Sequence, residues 1–213
     1  MIKKTIKSIA VFLAVVVVPV LGNTAMLRSP HIWVLFALGF LTSIFQPEYH
    51  VVGNESKARD NGTELQIIWS VFITQLFTVI EAAYFRYPES VKWDLASTIA
   101  LAIMVTGLII RVWAVKTLGR YFTMHLAIQS DHKIIRTGPY SYFRHPSYVG
   151  AFLTFALTPV FLHSWYSLLA CSVILPFAWI RRIYYEEKML LEKFGVEYES
   201  YSKTVKRAIP GLW

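Results

Sequence analysis

Two apolar stretches, residues 65–85 and 95–115, constrain this chain more than any other feature, because each is interrupted by a single charged residue, Glu81 and Arg111. Each approaches the roughly 20 residues that a helix needs to cross a bilayer's hydrocarbon core. In lipid the backbone must satisfy its own hydrogen bonds, which a helix does within one segment. Four shorter apolar blocks cover 9–21, 32–45, 148–162 and 166–180. The first two are short enough to form a tilted or re-entrant hairpin, and the last two, joined only by His163-Ser164-Trp165, form a tight helical hairpin. The expected fold is therefore all-α: an integral membrane helical bundle of about five to six membrane helices, in one domain over 1–213. A hydrophobic share of 55% and a mean hydropathy of +0.47 are too apolar for a soluble domain of this length. The lone Cys171, inside an apolar block, excludes a disulfide framework and a thiolate metal site. It reads as a small buried hydrophobe.

A net charge of +8 would suggest a nucleic-acid partner in a soluble protein, but here the placement of the charges matters more than their sum. If both termini lie inside, the inside segments hold 17 Lys and Arg and the outside segments only Arg28, Arg86 and Lys92. Such a bias orients a multi-pass protein with its basic loops cytoplasmic. The expected location is the cell inner membrane, with both termini and the polar loops in the cytoplasm and no nucleic-acid partner. Lys3, Lys4 and Lys7 imitate the start of a signal peptide, but Asn23-Thr24-Ala25 is a poor cleavage site, so the first helix is read as retained. The glycosylation patterns at Asn54 and Asn61 fall on an inner loop and are read as accidental.

The polar chemistry concentrates in residues 136–148, Arg-Thr-Gly-Pro-Tyr-Ser-Tyr-Phe-Arg-His-Pro-Ser-Tyr. Polar groups crowded at the mouth of a membrane bundle line a ligand site or anchor an interfacial loop. Gly138-Pro139 reads as a turn, and Pro146 suits the first turn of a helix, whose exposed N–H groups suit an anion. The tail reads as a helix from Arg181 to about Phe194, stopped by Gly195, then a shorter amphipathic piece carrying Tyr198, Tyr201 and Val205 and closed by Pro210. Arg182 and Glu186 stand four apart on one face, either as an intrahelical ion pair or as site residues, while Glu187 is free to face solvent. Of the six histidines, His125, His132 and His145 share the inner face with this knot. Glu81 either snorkels or faces a polar cavity. The chain has no Gly-x-Gly-x-x-Gly and no His-x-x-x-His or Cys-x-x-Cys, which argues against a Rossmann nucleotide site and against a metal site.

The segment from His132 to Gly150 resembles the signature of the isoprenylcysteine carboxyl methyltransferases. Arg182-Ile-Tyr-Tyr-Glu-Glu187, with Phe194-Gly195, Glu197-Tyr198 and Tyr201, resembles their second signature. The likeness covers roughly residues 115–210. It implies an integral membrane enzyme using S-adenosyl-L-methionine, with residues 1–115 as N-terminal membrane helices and 116–213 as a catalytic core. The cofactor pocket would lie at the cytosolic face, roofed by the C-terminal helix. Carried over by position, the cofactor contacts would be His132, Lys133, Ile134, Ile135, Tyr140, His145, Pro146, Ser147, Tyr148 and Glu186. Arg182 would face the methyl acceptor, and Gln129 is a further candidate. The implied substrate is a lipophilic or lipidated molecule entering from the bilayer, among membrane lipids.

These residue types suit such a cofactor, a zwitterion with a sulfonium. Tyr140, Tyr142 and Tyr148 offer π faces, His145 and the helix start suit a carboxylate, and Glu186 suits an ammonium or ribose hydroxyls. A carboxylate acceptor is already ionised at pH 7 and needs no general base. The competing readings are a phospholipid or lipid-amine N-methyltransferase, an NADPH-dependent sterol-type reductase with a related Arg-His-Pro stretch, and a non-enzymatic scaffold or small transporter. The reductase would need further cations for a 2′-phosphate, and the scaffold would leave both signatures unexplained.

Overall fold

The computed structural model describes residues 2–45, 60–122 and 133–208. Among them the secondary structure is helical, with one isolated parallel bridge between Phe143 and Lys206. The helices are α1 (Ile2–Phe12), α2 (Pro30–Ile44), α3 (Thr63–Tyr84), α4 (Leu95–Leu118), α5 (Pro146–Ala156), α6 (Thr158–Phe161), α7 (Trp165–Phe194) and α8 (Val196–Thr204). Three helical segments, Thr63–Tyr84, Leu95–Tyr121 and Trp165–Phe194, are long and apolar enough to cross a membrane. The shorter apolar pieces Ser8–Val20, Pro30–Ile44 and Pro146–Phe161 pack among them. The chain is an integral membrane helical bundle.

Side-chain contacts fix which ends of the helices lie together. At one end Tyr84 Oη donates to the Pro19 carbonyl (2.9 Å), Asn23 Nδ2 to the Ala83 carbonyl (2.7 Å), and His163 Nε2 lies 2.9 Å from Asp94. His31 is buried there against Trp93 and Phe161. At the other end Ser8 and Ser43 share a hydrogen bond (2.6 Å), and Arg181 donates to the Asn61 carbonyl (2.8 Å). Arg86 and Lys92 lie at the first end and Arg181, Arg182 and Arg207 at the second, in keeping with the charge bias of the sequence.

The helix starts explain the lengths. Asp94 and Ser97 form a capping box for α4, with both bonds at 2.9 Å, and Ser29 caps α2 with Pro30 behind it. The N-cap side chain of α7, Ser164, makes no capping bond. The carboxylate of Glu81, on the last turn of α3, instead accepts from Tyr166 N (3.1 Å), Ser167 N (2.7 Å) and Ser167 Oγ (2.7 Å). An anion at a helix N-terminus satisfies orphan N–H groups and the helix dipole together. Glu81 thus caps the start of α7, with Arg86 Nε 3.5 Å from its Oε1.

α4 and α5 cross where two glycines meet. A Cβ on Gly150 would stand 2.5 Å from the Gly107 carbonyl oxygen, and one on Gly107 would stand 2.7 Å from that of Gly150. Small residues let membrane helices approach this closely. Thr154 Oγ1 reaches the Met104 carbonyl on one side of the crossing, at 3.3 Å, and Arg111 reaches Ser147 on the other. Cys171 is buried in the cluster with Ala151, Leu175 and Trp179, as a small hydrophobe.

The sequence reading divided the apolar block 166–180 from a tail helix starting at Arg181. The backbone instead runs through both as one 30-residue helix, α7, with Pro176 inside it. It ends at Gly195 (φ +50°) with Lys193 in its last turn, where a glycine and a cation favour a helix end. α8 follows at once with Tyr198 and Tyr201 buried; Val205 caps it, and Pro210 lies outside the described residues.

Candidate active site

α5 begins inside the polar knot. His145 is its N-cap residue, Pro146 its first helical residue, and Tyr148 points toward the C-terminal half of α7. There Arg182 Nε donates to the Tyr148 hydroxyl (2.9 Å), which donates to Glu186 Oε2 (2.5 Å). His145 lies between the carboxylates: Nδ1 is 3.7 Å from Glu186 Oε1 and Nε2 is 3.2 Å from Glu187 Oε1. The His145 and Tyr148 rings stack with centroids 5.8 Å apart. The two charges that the sequence places four apart on one face therefore have a phenol between them. Arg182 is buried and donates to Thr63 Oγ1 (2.9 Å) while pairing with the carboxylate of Asp60. Burial opposes a charge on His145, but the carboxylates of Glu186 and Glu187 beside it outweigh that, and its pKa lies above the ordinary value.

Glu187 does not face solvent. Its Oε1 accepts from Arg144 Nε (2.9 Å) and from Tyr198 Oη (3.3 Å), and its Oε2 accepts from Arg207 Nε (2.7 Å). Arg144 Nη1 also donates to the carbonyls of Ser202 (2.6 Å) and Val205 (2.9 Å), at the end of α8 where the helix leaves carbonyls without internal partners. The backbone N–H groups of Arg144 and His145 donate to the carbonyls of Lys206 (2.8 Å) and Arg207 (3.0 Å). Tyr201 Oη donates to the Tyr140 carbonyl (2.6 Å), and Arg136 reaches the Glu197 carbonyl (3.1 Å). The short helix and the tail are thus strapped across the knot. Tyr140 is buried, which pushes its phenol well above the usual range and keeps it neutral.

Among the sequence-derived candidates, Arg182, Tyr148, Glu186 and His145 meet in one hydrogen-bonded cluster. Pro146 and Ser147 are buried on the first turn of α5. The Ser147 carbonyl and hydroxyl both accept from Arg111 Nη1, at 3.0 and 3.1 Å. The Nε–H of Arg111 is buried without a hydrogen-bond partner. Lys133 is exposed and Ile134 and Ile135 are half-buried on the irregular segment that enters the knot. His125, Gln129 and His132 lie outside the described residues.

Sequence reasoning assigns no role to Asp60, Thr63, Arg111 or Arg144 and leaves Glu187 free to face solvent. Arg111 alone carried a usable signal, since a single cation within an apolar span marks a functional or structural polar contact. Asp60 and Arg182 are 122 positions apart, so no local period could join them.

The profile of the isoprenylcysteine carboxyl methyltransferase family matches residues 99–192, the stretch that contains both sides of this cluster. The chain is 32% identical over 182 residues to a protein of Oryza sativa subsp. indica named "Probable protein-S-isoprenylcysteine O-methyltransferase", covering 83% of this chain and 94% of that one. It is 31% identical over 165 residues to the protein-S-isoprenylcysteine O-methyltransferase of Saccharomyces cerevisiae, covering 75% of this chain and 68% of the yeast one. The fold is similar to that of the eukaryotic intramembrane Ras methyltransferase ICMT, with a TM-score of 0.58 at 23% identity over 95% of this chain and 74% of the other. By sequence along most of its length this chain belongs to the isoprenylcysteine carboxyl methyltransferase family.

Proposed function

We propose that the protein is a membrane methyltransferase that uses S-adenosyl-L-methionine to O-methylate the carboxylate of an isoprenylcysteine-like acceptor, a lipophilic or lipidated molecule that enters from the bilayer. The observation that carries this reading is the cluster of Arg182, Tyr148, Glu186 and His145 at the basic end of the bundle. Residues 116–213 form the catalytic core, and the helices of 1–115 support it and lend it Arg111 and Asp60. The protein sits in the cell inner membrane with both termini and this site in the cytoplasm.

The donor set fits the cofactor. Arg111 holds a buried N–H without a partner beside the start of α5, suited to a carboxylate. Glu186 offers an acceptor for an ammonium or for hydroxyls, and the Tyr148 ring offers a π face to a cation. His132 to Ile135, Tyr140 and His145 to Tyr148 would complete the contacts. When bound, the cofactor supplies a methyl group on a positively charged sulfur. Arg182 orients the acceptor carboxylate, which is ionised at neutral pH and gives up no proton to the protein. Burial of the cluster keeps water from competing, and alignment supplies much of the acceleration.

The test is transfer from labelled S-adenosyl-L-methionine to N-acetyl-S-farnesylcysteine by purified protein in detergent. The expected product is a base-labile methyl ester, with saturable binding of S-adenosylhomocysteine by calorimetry. Label found instead on the amine of a phospholipid would favour the N-methyltransferase.

A further inference from the structure

We infer that Asp60 is a positioning residue for methyl transfer, whose carboxylate fixes the guanidinium of Arg182 and balances its charge. The inference rests on the functional reading above, in which Arg182 meets the acceptor. Asp60 belongs to neither sequence signature and reaches the site from the segment before α3. Both partners are buried, Asp60 at 5% and Arg182 at 3% exposure. Asp60 performs two tasks with different oxygens. Its Oδ2 accepts from Glu64 N (3.0 Å), capping the start of α3, while Oδ1 pairs with Arg182 Nη1. Thr63 joins the tasks: its hydroxyl lies 3.0 Å from Asp60 Oδ1 and accepts from Arg182 Nη1 at 2.9 Å. With Tyr148 on Nε and Asp60 and Thr63 on Nη1, the guanidinium plane is held from two edges.

The charge balance matters because of what happens to the acceptor. A carboxylate loses its negative charge as it becomes an ester, so a strong cation beside it stabilises the ground state more than the transition state. Such binding slows the chemical step. In a low-dielectric site an unbalanced guanidinium would exert that effect at full strength. Paired with Asp60, Arg182 retains its N–H fork for orientation but offers the acceptor less net charge. Asp60 needs no contact with the acceptor to do this.

Asp60→Asn removes the charge that faces Arg182 while keeping one carbonyl oxygen for the Glu64 N–H. Because it leaves the buried Arg182 guanidinium without its anion, the melting temperature is expected to fall, while S-adenosylhomocysteine affinity stays near wild type and kcat is read per folded molecule. With N-acetyl-S-farnesylcysteine, kcat should fall about 10- to 100-fold, the scale of a misplaced reacting group, while KM for the acceptor falls or stays level. Asp60→Glu should recover part of kcat. In an Arg182→Ala background the same Asp60→Asn change should have little further effect on kcat, because coupled residues are not additive. Unchanged kcat in Asp60→Asn overturns the inference, as does full additivity with Arg182→Ala. A lowered melting temperature with normal kcat per folded molecule assigns Asp60 to the cap alone and overturns it too. Wild-type protein inert toward the acceptor overturns the functional reading and this inference with it, whereas an active wild type with an indifferent Asp60→Asn overturns the inference alone.

Discussion

At the scale of single residues, the phenol of Tyr148 takes a hydrogen bond from Arg182 and passes one to Glu186, so a neutral hydroxyl relays between a cation and an anion. Tyr148→Phe keeps the ring and removes the relay, leaving both charges short of a partner. Hydrogen bonds to charged groups contribute about 1.5–3 kcal/mol, so cofactor affinity and turnover should both fall, by about tenfold or more, as calorimetry and initial rates would show. The charged residues should separate in kind. Glu186→Ala should weaken S-adenosylhomocysteine binding. Arg182→Ala should leave that binding nearly intact and lower methyl transfer about 10²-fold, the scale of a misplaced reacting group. His145 adds a pH dependence with a definite sign. Its folded pKa is raised above the ordinary value near 6.5, so the stability it contributes is full below about 6.5 and is lost as pH rises through the folded value. Thermal melts from pH 6 to 9 should show a decline that His145→Gln flattens.

At the scale of elements, α8 and the tail are held by Glu187 through Arg144, Arg207 and Tyr198, all within 3.3 Å of its oxygens. Glu187→Gln leaves two guanidinium groups facing a neutral amide, and amide hydrogen exchange over 196–207 should accelerate before that of α3 or α4 does. The sequence shows α3 and α4 plainly, because some 20 apolar residues in a row have few other uses. It misplaces the start of the tail helix for a physical reason. Composition changes at Arg181, but the hydrogen-bond ladder of α7 runs through that point without interruption. The proline at the start of α5 and the glycine after α7 are local signals and are readable as such. The strap is not: Arg144 meets Glu187 from 43 positions away, and the same glutamate in an isolated helix would face water. Much of the candidate site is therefore legible as motif residues, while the pairings among them, and Asp60, become visible only once the helices are packed.

At the scale of the whole molecule, the segregation of Arg86 and Lys92 from Arg181, Arg182 and Arg207 predicts the sidedness of labelling. In a background without Cys171, a cysteine at exposed Glu89 should react with a membrane-impermeant reagent in intact cells, and one at exposed Lys203 should require a permeant reagent. α7 bears on a different property. Its 30 residues give a length of about 45 Å at 1.5 Å per residue, against a hydrocarbon core of about 30 Å. Its first turn is tied down by Glu81 at one end of the bundle, so about ten residues project beyond the lipid at the other; Glu186 and Glu187 belong to that projecting part, and Arg182 stands at its boundary. The helix acts as a ruler, and the bilayer is what it measures. In thicker bilayers the ring of Arg182 and its partners would be drawn into the acyl layer, and in thinner ones it would stand clear of it. Methyl transfer in vesicles of graded acyl length should therefore pass through a maximum, while cofactor binding in detergent shows no such preference.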